Sequence, residues 1–446
     1  ANILEINGDR DAAIENYKQA IFINPDYAEA FNSLGYILRD LGEYEAAIES
    51  YKQAIAIKPD TAEFYNNLAI ALQVGGDLTS AIENFNLAIS FNSGLAEFYN
   101  NIGNAYRHIG DLDAAIEAYH RALQINPEYA LAHWNQSLAY LVKGDFQNGW
   151  SEYEWRWKAT EEIGKYISTS KPVWRYGRGQ RVLLWAEQGI GDEIMFASII
   201  PDLHALCSKL IVQIDERLIP LFKRSFPSDI EFQPRNKVIL KNEFDAHIPF
   251  GSLPLHFRQT VESFKSASQG WLSASEVRAR HLREKLLSNQ SEILIGISWH
   301  STKPRLGAEA KAITLTQLAK ELNAPKVKFV NLQYGDVSDE LDCLKEENGI
   351  EVIQVPEIDN KNDIDGLAAL IMACDRVVSI SNLTIHLAGA LGKKAHVLLA
   401  SSCDWRWGQN PNSGYWYDSV HLHRQSKVND WDDPLENVRG SFETFK

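Results

Sequence analysis

The chain is sparing with several things. It has 4 cysteines and 2 methionines in 446 residues. The cysteines, Cys207, Cys343, Cys374 and Cys403, form no Cys-x-x-Cys pair, which excludes the usual zinc and dithiol motifs. Their apolar surroundings suit reduced, buried thiols in a cytoplasm. Long apolar runs are also missing: VLLW and ILIGI fall far short of the roughly 20 residues a membrane span needs. The opening ANILEINGDRD has no initiating Met, charged n-region or apolar h-region, so no secretory signal is expected and the chain reads as starting inside a longer protein. Basic residues are scarce in the first third, where residues 1–150 hold 20 Asp and Glu against 8 Lys and Arg, most of the overall net charge of −15. Such a surface repels phosphate, which excludes nucleic acid and anionic membrane as its partner and favours a neutral or basic polypeptide.

What the chain does have is apolar content for several cores, 45% of residues with 12 Trp, and an internal period. Gly8, Gly42, Gly76, Gly110 and Gly144 are each 34 residues apart. Ala20, Ala54, Ala88 and Ala122 keep the same interval, as do Tyr17, Tyr51, Phe85, Tyr119 and Tyr153, and Pro25, Pro59 and Pro127 close three units. This pattern resembles the tetratricopeptide repeat, a helix–turn–helix unit in which Ala lets helices approach and Gly opens the turn. Ala1 falls inside a first helix, so further repeats are expected upstream. Asn67, Asn101 and Asn135 recur at one position, with Ser33 one unit earlier. Stacked repeats align these amides, either as a ladder that grips a peptide backbone or as local bonds that pack neighbouring repeats. A similar ladder is a feature of the O-linked N-acetylglucosamine transferases, and that resemblance implies the peptide-binding role. Trp150, Trp155 and Trp157 in GWSEYEWRWK read as core that caps the array. The repeat domain is thus placed at 1–160, followed by a connector over 161–179 containing KPVWRYGRGQ.

Beyond Gln180 short apolar runs replace the helical period. RVLLW, KLIVQI, DAHIPF, EILIGIS, KVKFVNL, IEVIQV, DRVVSI and AHVLLA read as buried strands alternating with helices, which predicts parallel α/β layers. Two such units are expected, 180–285 and 286–446, with the polar segment 272–292 as helix and linker between them. Ligands of such sheets bind beyond the carboxyl ends of the strands. The loops after WAEQ, GISWH, VNLQ and SISN are therefore the informative ones. In the last of these, amides at a helix start and the Thr384 hydroxyl suit a diphosphate, and His386 is either a satisfied neighbour or a donor to phosphate or ribose.

Five motifs in order, EQGIGDEIMFASIIPDL, GISWH with KAITLTQLAK, FVNLQYGD, DIDGLAALIMACDRVVSISNLTIHLAGALGKKAHVLLASSCDWRWG and WYDSVHLHRQ, resemble the glycosyltransferase domains that follow tetratricopeptide repeats in bacterial proteins. These domains are similar to the heptosyltransferase family. The resemblance spans about 170–432 and implies an α-helical solenoid followed by a GT-B fold of two facing Rossmann-like domains. It further implies a cytoplasmic, inverting, metal-independent transferase that uses a nucleotide-sugar as substrate and needs no cofactor. On that pattern Asp192 is the general base, with Gln188, Gly189 and Gly191 on the acceptor side. Lys303 or Lys311 contacts the diphosphate. The donor loop is Ser381, Asn382, Leu383, Thr384 and His386, and here Ser381 and Asn382 replace the family's Asp-Thr, so the resemblance does not carry over ADP-heptose as donor. Trp299 and Gln333, at strand ends, are expected to face the nucleotide. Trp299 and Arg406 of DWRW have packing and ion pairing as equal alternatives, and Asp192 has helix capping as its alternative.

Two rival readings compete with this one. A dinucleotide oxidoreductase would use Gly189, Gly191 and Asp215, but Ile194 stands where a third small residue is required. A non-catalytic repeat scaffold with a degenerate α/β part stays open. The Asp-x-Asp strings at 363–365 and 430–432 are too short to identify a metal site, and Ile364 replaces the Gly of a calcium loop.

Overall fold

The computed structural model describes residues 10–160, 166–240, 242–265, 269–289, 291–301, 312–402, 404–427 and 430–442. Gly8, Lys303, Lys311, Cys403 and the chain start at Ala1 lie outside these residues. The chain divides into two compact units, Ala1–Tyr140 and Leu141–Lys446.

The first unit is a run of paired helices: Arg10–Ile23, then Ala28–Asp40 with Tyr44–Ile57, Ala62–Val74 with Leu78–Phe91, and Ala96–Ile109 with Leu112–Ile125. Helix Ala130–Lys143 begins the next pair. Between the helices of a pair, Gly42, Gly76 and Gly110 take φ values of +83°, +93° and +85°, a left-handed bend that side chains resist. The following Asp77 and Asp111 cap the second helices by accepting from the amides of Ser80 and Ala114, each at 3.1 Å. Tyr51 and Tyr119 are buried against Gly35 and Gly103, Phe85 shares a buried cluster with Ala69, and a Cβ on Gly103 would meet Tyr119 at 2.6 Å. Each such aromatic contributes about 2–3 kcal/mol by burial, and only a small residue opposite permits it.

The second unit is α/β. Strands β1 (Arg181–Trp185), β2 (Lys209–Ile214), β3 (Glu231–Pro234) and β4 (Ala246–Pro249) form one sheet in the order β3-β2-β1-β4. Strands β5 (Ile293–Ser298), β6 (Val327–Asn331), β7 (Val352–Ile353), β8 (Arg376–Ile380), β9 (Ala395–Leu399) and β10 (Val420–Arg424) form the other, in the order β10-β9-β8-β5-β6-β7. All pairings are parallel. Both orders reverse beside the first strand, β1 in one sheet and β5 in the other, the doubly wound pattern that opens a crevice at the carboxyl ends.

Segment 141–160 packs within this unit. Trp150 is buried among Tyr153, Phe196, Trp405 and Trp416, and its Nε1 donates to the carbonyl of Arg258 at 2.8 Å. Trp157 lies against Trp185 on β1.

The structure departs from the sequence reading at the sheet margins. β3, with Glu, Gln and Pro among its four residues, and β10, where His421 and His423 alternate with apolar residues, lack the apolar runs of buried strands because both are edge strands. IEVIQV shrinks to the two residues of β7, also at an edge. Helix Glu276–Leu286 is tied to the second sheet, since Arg278 and Arg283 bond Asp363 and Asp375 at 2.7 and 2.8 Å. Buried thiols hold for Cys374 alone among the described cysteines. Cys207 is half-buried and Cys343 is exposed on the polar helix Ser338–Asn348.

Candidate functional site

The polypeptide leaves β1 through Ala186–Gly189 into the helix Ile190–Phe196. Gly189, not Asp192, is the N-cap, so the capping role considered for Asp192 does not apply; its side chain lies one turn in. Neither Gly189 nor Gly191 has a positive φ, so the turn is not a glycine-specific bend. Gly191 is small for another reason, since a Cβ there would lie 3.2 Å from Cδ2 of His386. Gln188 is held at both ends: its Nε2 donates to the Tyr153 hydroxyl at 2.9 Å, and its carbonyl accepts from Arg235.

Beneath this turn lie acids that motif reading passed over. Glu187 is buried, with Oε1 accepting from Arg156 at 3.2 Å and from the Gly251 amide at 2.9 Å, while Oε2 has no hydrogen-bond partner among the described residues. Burial pushes its carboxyl up, and Arg156 opposes this. Arg156 itself is fully buried, bonded to Glu154 at 2.7 Å and Ser252 at 2.9 Å and packed over the Tyr153 and Trp157 rings. Glu193 is pushed up to about 7 by burial, against the pull of Arg235. Its oxygens bind Arg235 and the Asp215 amide and tie together the ends of β1, β2 and β3.

At the second sheet the carboxyl ends of β5, β6 and β8 are laced by buried polar groups. Gln333 Oε1 accepts from Ser298 Oγ at 2.9 Å, from the Trp299 amide at 2.9 Å and from the His300 amide at 3.1 Å. Asn382 Nδ2 donates to Ser298 Oγ at 2.8 Å, and its Oδ1 caps the helix Leu383–Ala390 at the Thr384 amide, 3.0 Å away. Gln333, Asn382 and Thr384 thus form a buried brace. Thr384 is fully buried with its hydroxyl toward the Leu332 carbonyl at 3.4 Å, so it does not offer the free hydroxyl expected of an anion site. Trp299 is 1% exposed in the core with Ile297 and Leu318, its Nε1 on Glu340 at 2.7 Å; packing, not an open face, describes it. Ser381 and Leu383 are half-exposed at the rim.

The two sets of strand ends meet. Arg406, beyond β9, donates from Nε and Nη2 to Asp192 Oδ1 at 2.8 and 2.6 Å and reaches Asp404 at 3.3 Å. Burial works against the guanidinium charge, but the two carboxylates outweigh it and hold the group protonated. His386 stacks on Trp407 at 5.3 Å and bonds the Tyr417 hydroxyl at 2.8 Å; burial, then the Arg406 cation, pushes it down to about 4, leaving a neutral ring. Trp271 completes the junction, with Nε1 on the Ile194 carbonyl at 3.1 Å and its amide on the Ala390 carbonyl at 2.8 Å. Sequence reading found Asp192, His386 and Arg406 separately. It missed Glu187, Glu193, Arg156, Tyr417 and Trp407, whose signal is burial of charge or aromatic stacking, neither of which leaves a motif.

The Asp-x-Asp at 363–365 is structural: Asp363 caps the Gly366 amide at 2.8 Å and binds Arg278, while Asp365 binds Arg224.

In the repeats, the amides of Asn67, Asn101 and Asn135 each donate one bond to the repeat before, to Asn32, Asn66 and Asn100, at 2.9, 3.0 and 2.9 Å. Asn135 is buried, whereas Asn67 and Asn101 keep a half-exposed face.

Comparison with known proteins follows this division. Family models described as TPR repeat and tetratricopeptide repeat match residues 1–38, 35–73 and 96–129. Protein FlbA of Caulobacter vibrioides is 31% identical over 325 residues, covering 68% of this chain and 54% of FlbA. The chain therefore spans about half the length of the curated relative it matches. Among solved structures, MamA is 31% identical with a TM-score of 0.33, covering 36% of this chain and 95% of its own. YrrB, reported as a TPR protein with an unusual peptide-binding site, is 17% identical with a TM-score of 0.31, covering 36% and 83%. No helix among the described residues is long and apolar enough to cross a membrane. The chain carries tetratricopeptide repeats in its N-terminal region, followed by an α/β region of parallel sheets.

Proposed function

We propose that the chain is a nucleotide-sugar-dependent glycosyltransferase of GT-B type, inverting and metal-independent, acting in the cytoplasm on a polypeptide recruited by its repeats. The observation that carries this reading is the meeting of two doubly wound sheets at their carboxyl ends, with Asp192 from one beside Arg406 and His386 from the other. In this reading the acceptor hydroxyl attacks the anomeric carbon, its proton passes to Asp192, and the bond to the diphosphate breaks with its electrons on the leaving oxygen. Leu383 and Ser381 are the half-exposed donor-loop residues at the rim, Ser381 accepting from Trp407 with its own hydroxyl proton left to donate. The acidic repeats and half-exposed Asn67 and Asn101 support a neutral or basic peptide as acceptor.

The test is transfer or hydrolysis across UDP-, GDP-, ADP- and CMP-sugars, read by mass spectrometry, with Asp192→Asn expected to slow turnover at least about 100-fold. A second reading, a scaffold with a retired site, is favoured by the ion pair that occupies Asp192. Absence of turnover with every donor, together with an unchanged cellular phenotype for Asp192→Asn, would establish that second reading.

A further inference from the structure

We propose that Arg406 is a donor-binding residue that gates the base: the diphosphate of the donor draws the guanidinium away from Asp192, so that both carboxylate oxygens are released from it only when the donor is bound. This deepens, and rests on, the glycosyltransferase reading.

Three features of the pair support the exchange. First, a single oxygen, Asp192 Oδ1, receives both the Nε and Nη2 bonds. A diphosphate offers a guanidinium several oxygens and more charge, in the paired geometry arginine binds best. Second, the side chains remain 22% and 15% exposed. A fully sealed pair would leave an unsolvated charge when broken, whereas these partly exposed groups can take up water or a ligand as they separate, so an arriving anion can compete for the guanidinium. Third, only the head of Arg406 is exchangeable. Its amide is fixed by Asp404 Oδ1 at 3.0 Å, and the neighbouring Trp407 donates to Ser381 Oγ at 2.8 Å. The arginine is thereby anchored next to the loop after β8, on the sheet side where ligands bind.

The consequence for the reaction is an order of events. With no donor, Arg406 holds Asp192 Oδ1 and leaves only Oδ2 to a bound acceptor hydroxyl. With donor bound, Arg406 faces the diphosphate and offsets the charge that develops there as the bond to the anomeric carbon breaks. The same movement leaves Asp192 able to take the acceptor proton. Departure of the nucleoside diphosphate returns Arg406 to Asp192.

A binding cycle tests this on the full chain, using calorimetry with UDP, GDP, ADP and inorganic pyrophosphate. Arg406→Gln should weaken binding of the best probe about tenfold or more, with Arg406→Lys recovering part of it. Asp192→Ala should tighten binding several-fold, because one of the two carboxylates that compete for Arg406 is gone, and this gain should vanish in the Arg406→Gln background. Loss of a merely structural ion pair would not tighten binding. The proposal falls if Asp192→Ala tightens binding equally with or without Arg406, or if Arg406→Gln binds as the unaltered chain does. If the unaltered chain transfers sugar but these couplings are absent, the gate alone is wrong; if it binds no probe and transfers nothing, the enzymatic reading falls with it.

Discussion

A first side-chain carbon on Gly191 would stand 3.2 Å from Cδ2 of His386, whose ring is backed by Trp407 and bonded to Tyr417. The helix after β1 and the helix after β8 approach this closely because residue 191 has no side chain. Alanine at this position gains about 1 kcal/mol of helix propensity and loses a similar amount to the crowded ring, so Gly191→Ala should be nearly neutral. Gly191→Val should destabilise the α/β unit by about 1–3 kcal/mol, read in denaturant unfolding.

Gln333 is the second test. Its Oε1 serves the Ser298 hydroxyl and the amides of Trp299 and His300, all in the buried brace. Gln333→Leu strands these donors without water and should cost about 2–4 kcal/mol. Urea titration followed by Trp fluorescence would show an unchanged midpoint if the brace contributes nothing.

Stability should also fall in acid, through the histidines of β9 and β10. Arg376 donates to His396 Nε2 at 3.2 Å, which places the His396 proton on Nδ1, and that nitrogen meets His423 Nε2 at 2.9 Å. Both rings must be neutral for these bonds. Burial, then the neighbouring histidines, pushes His396 down to about 2, and burial pushes His423 down to about 4. A histidine with a folded value below its unfolded one stabilises fully above the ordinary 6.5. That stability is lost as pH falls from there toward the folded values. Melting temperature should therefore decline between pH 6.5 and 4, and His423→Gln should flatten the decline.

The asparagine ladder separates two roles. Asn135 is buried and donates to Asn100, so Asn100→Ala should cost the repeat unit about 1–2 kcal/mol. Asn101→Ala leaves a half-exposed position and should weaken capture of a basic peptide more than it lowers the melting temperature. Equal binding by Asn101→Ala and the unaltered chain in fluorescence anisotropy would assign the ladder to packing alone.

Much of the architecture is legible in the sequence alone. The 34-residue spacing marks the helix pairs and their turn glycines because a repeat packs on its immediate neighbours, so its rules recur locally in the chain. Central strands were legible for a similar reason: covered on both faces, they require apolar residues at successive positions. Edge strands β3 and β10 escape that requirement and so left no run to read.

The chemistry at the strand ends behaved differently. Sequence alone determined that Asp192 follows a strand and that Arg406 follows another, but not that two residues 214 positions apart share a bond. It marked Thr384 as a hydroxyl at a helix start, and only the packing against β6 turned that hydroxyl toward Leu332. It showed a repeating Asn but not that each would spend one hydrogen on the preceding repeat. Local patterns decide backbone conformation, since those forces act over a few residues. Which side chains are brought together, and which remain open to a ligand, follows from sheet order and burial, and those exist only once the whole α/β unit has folded.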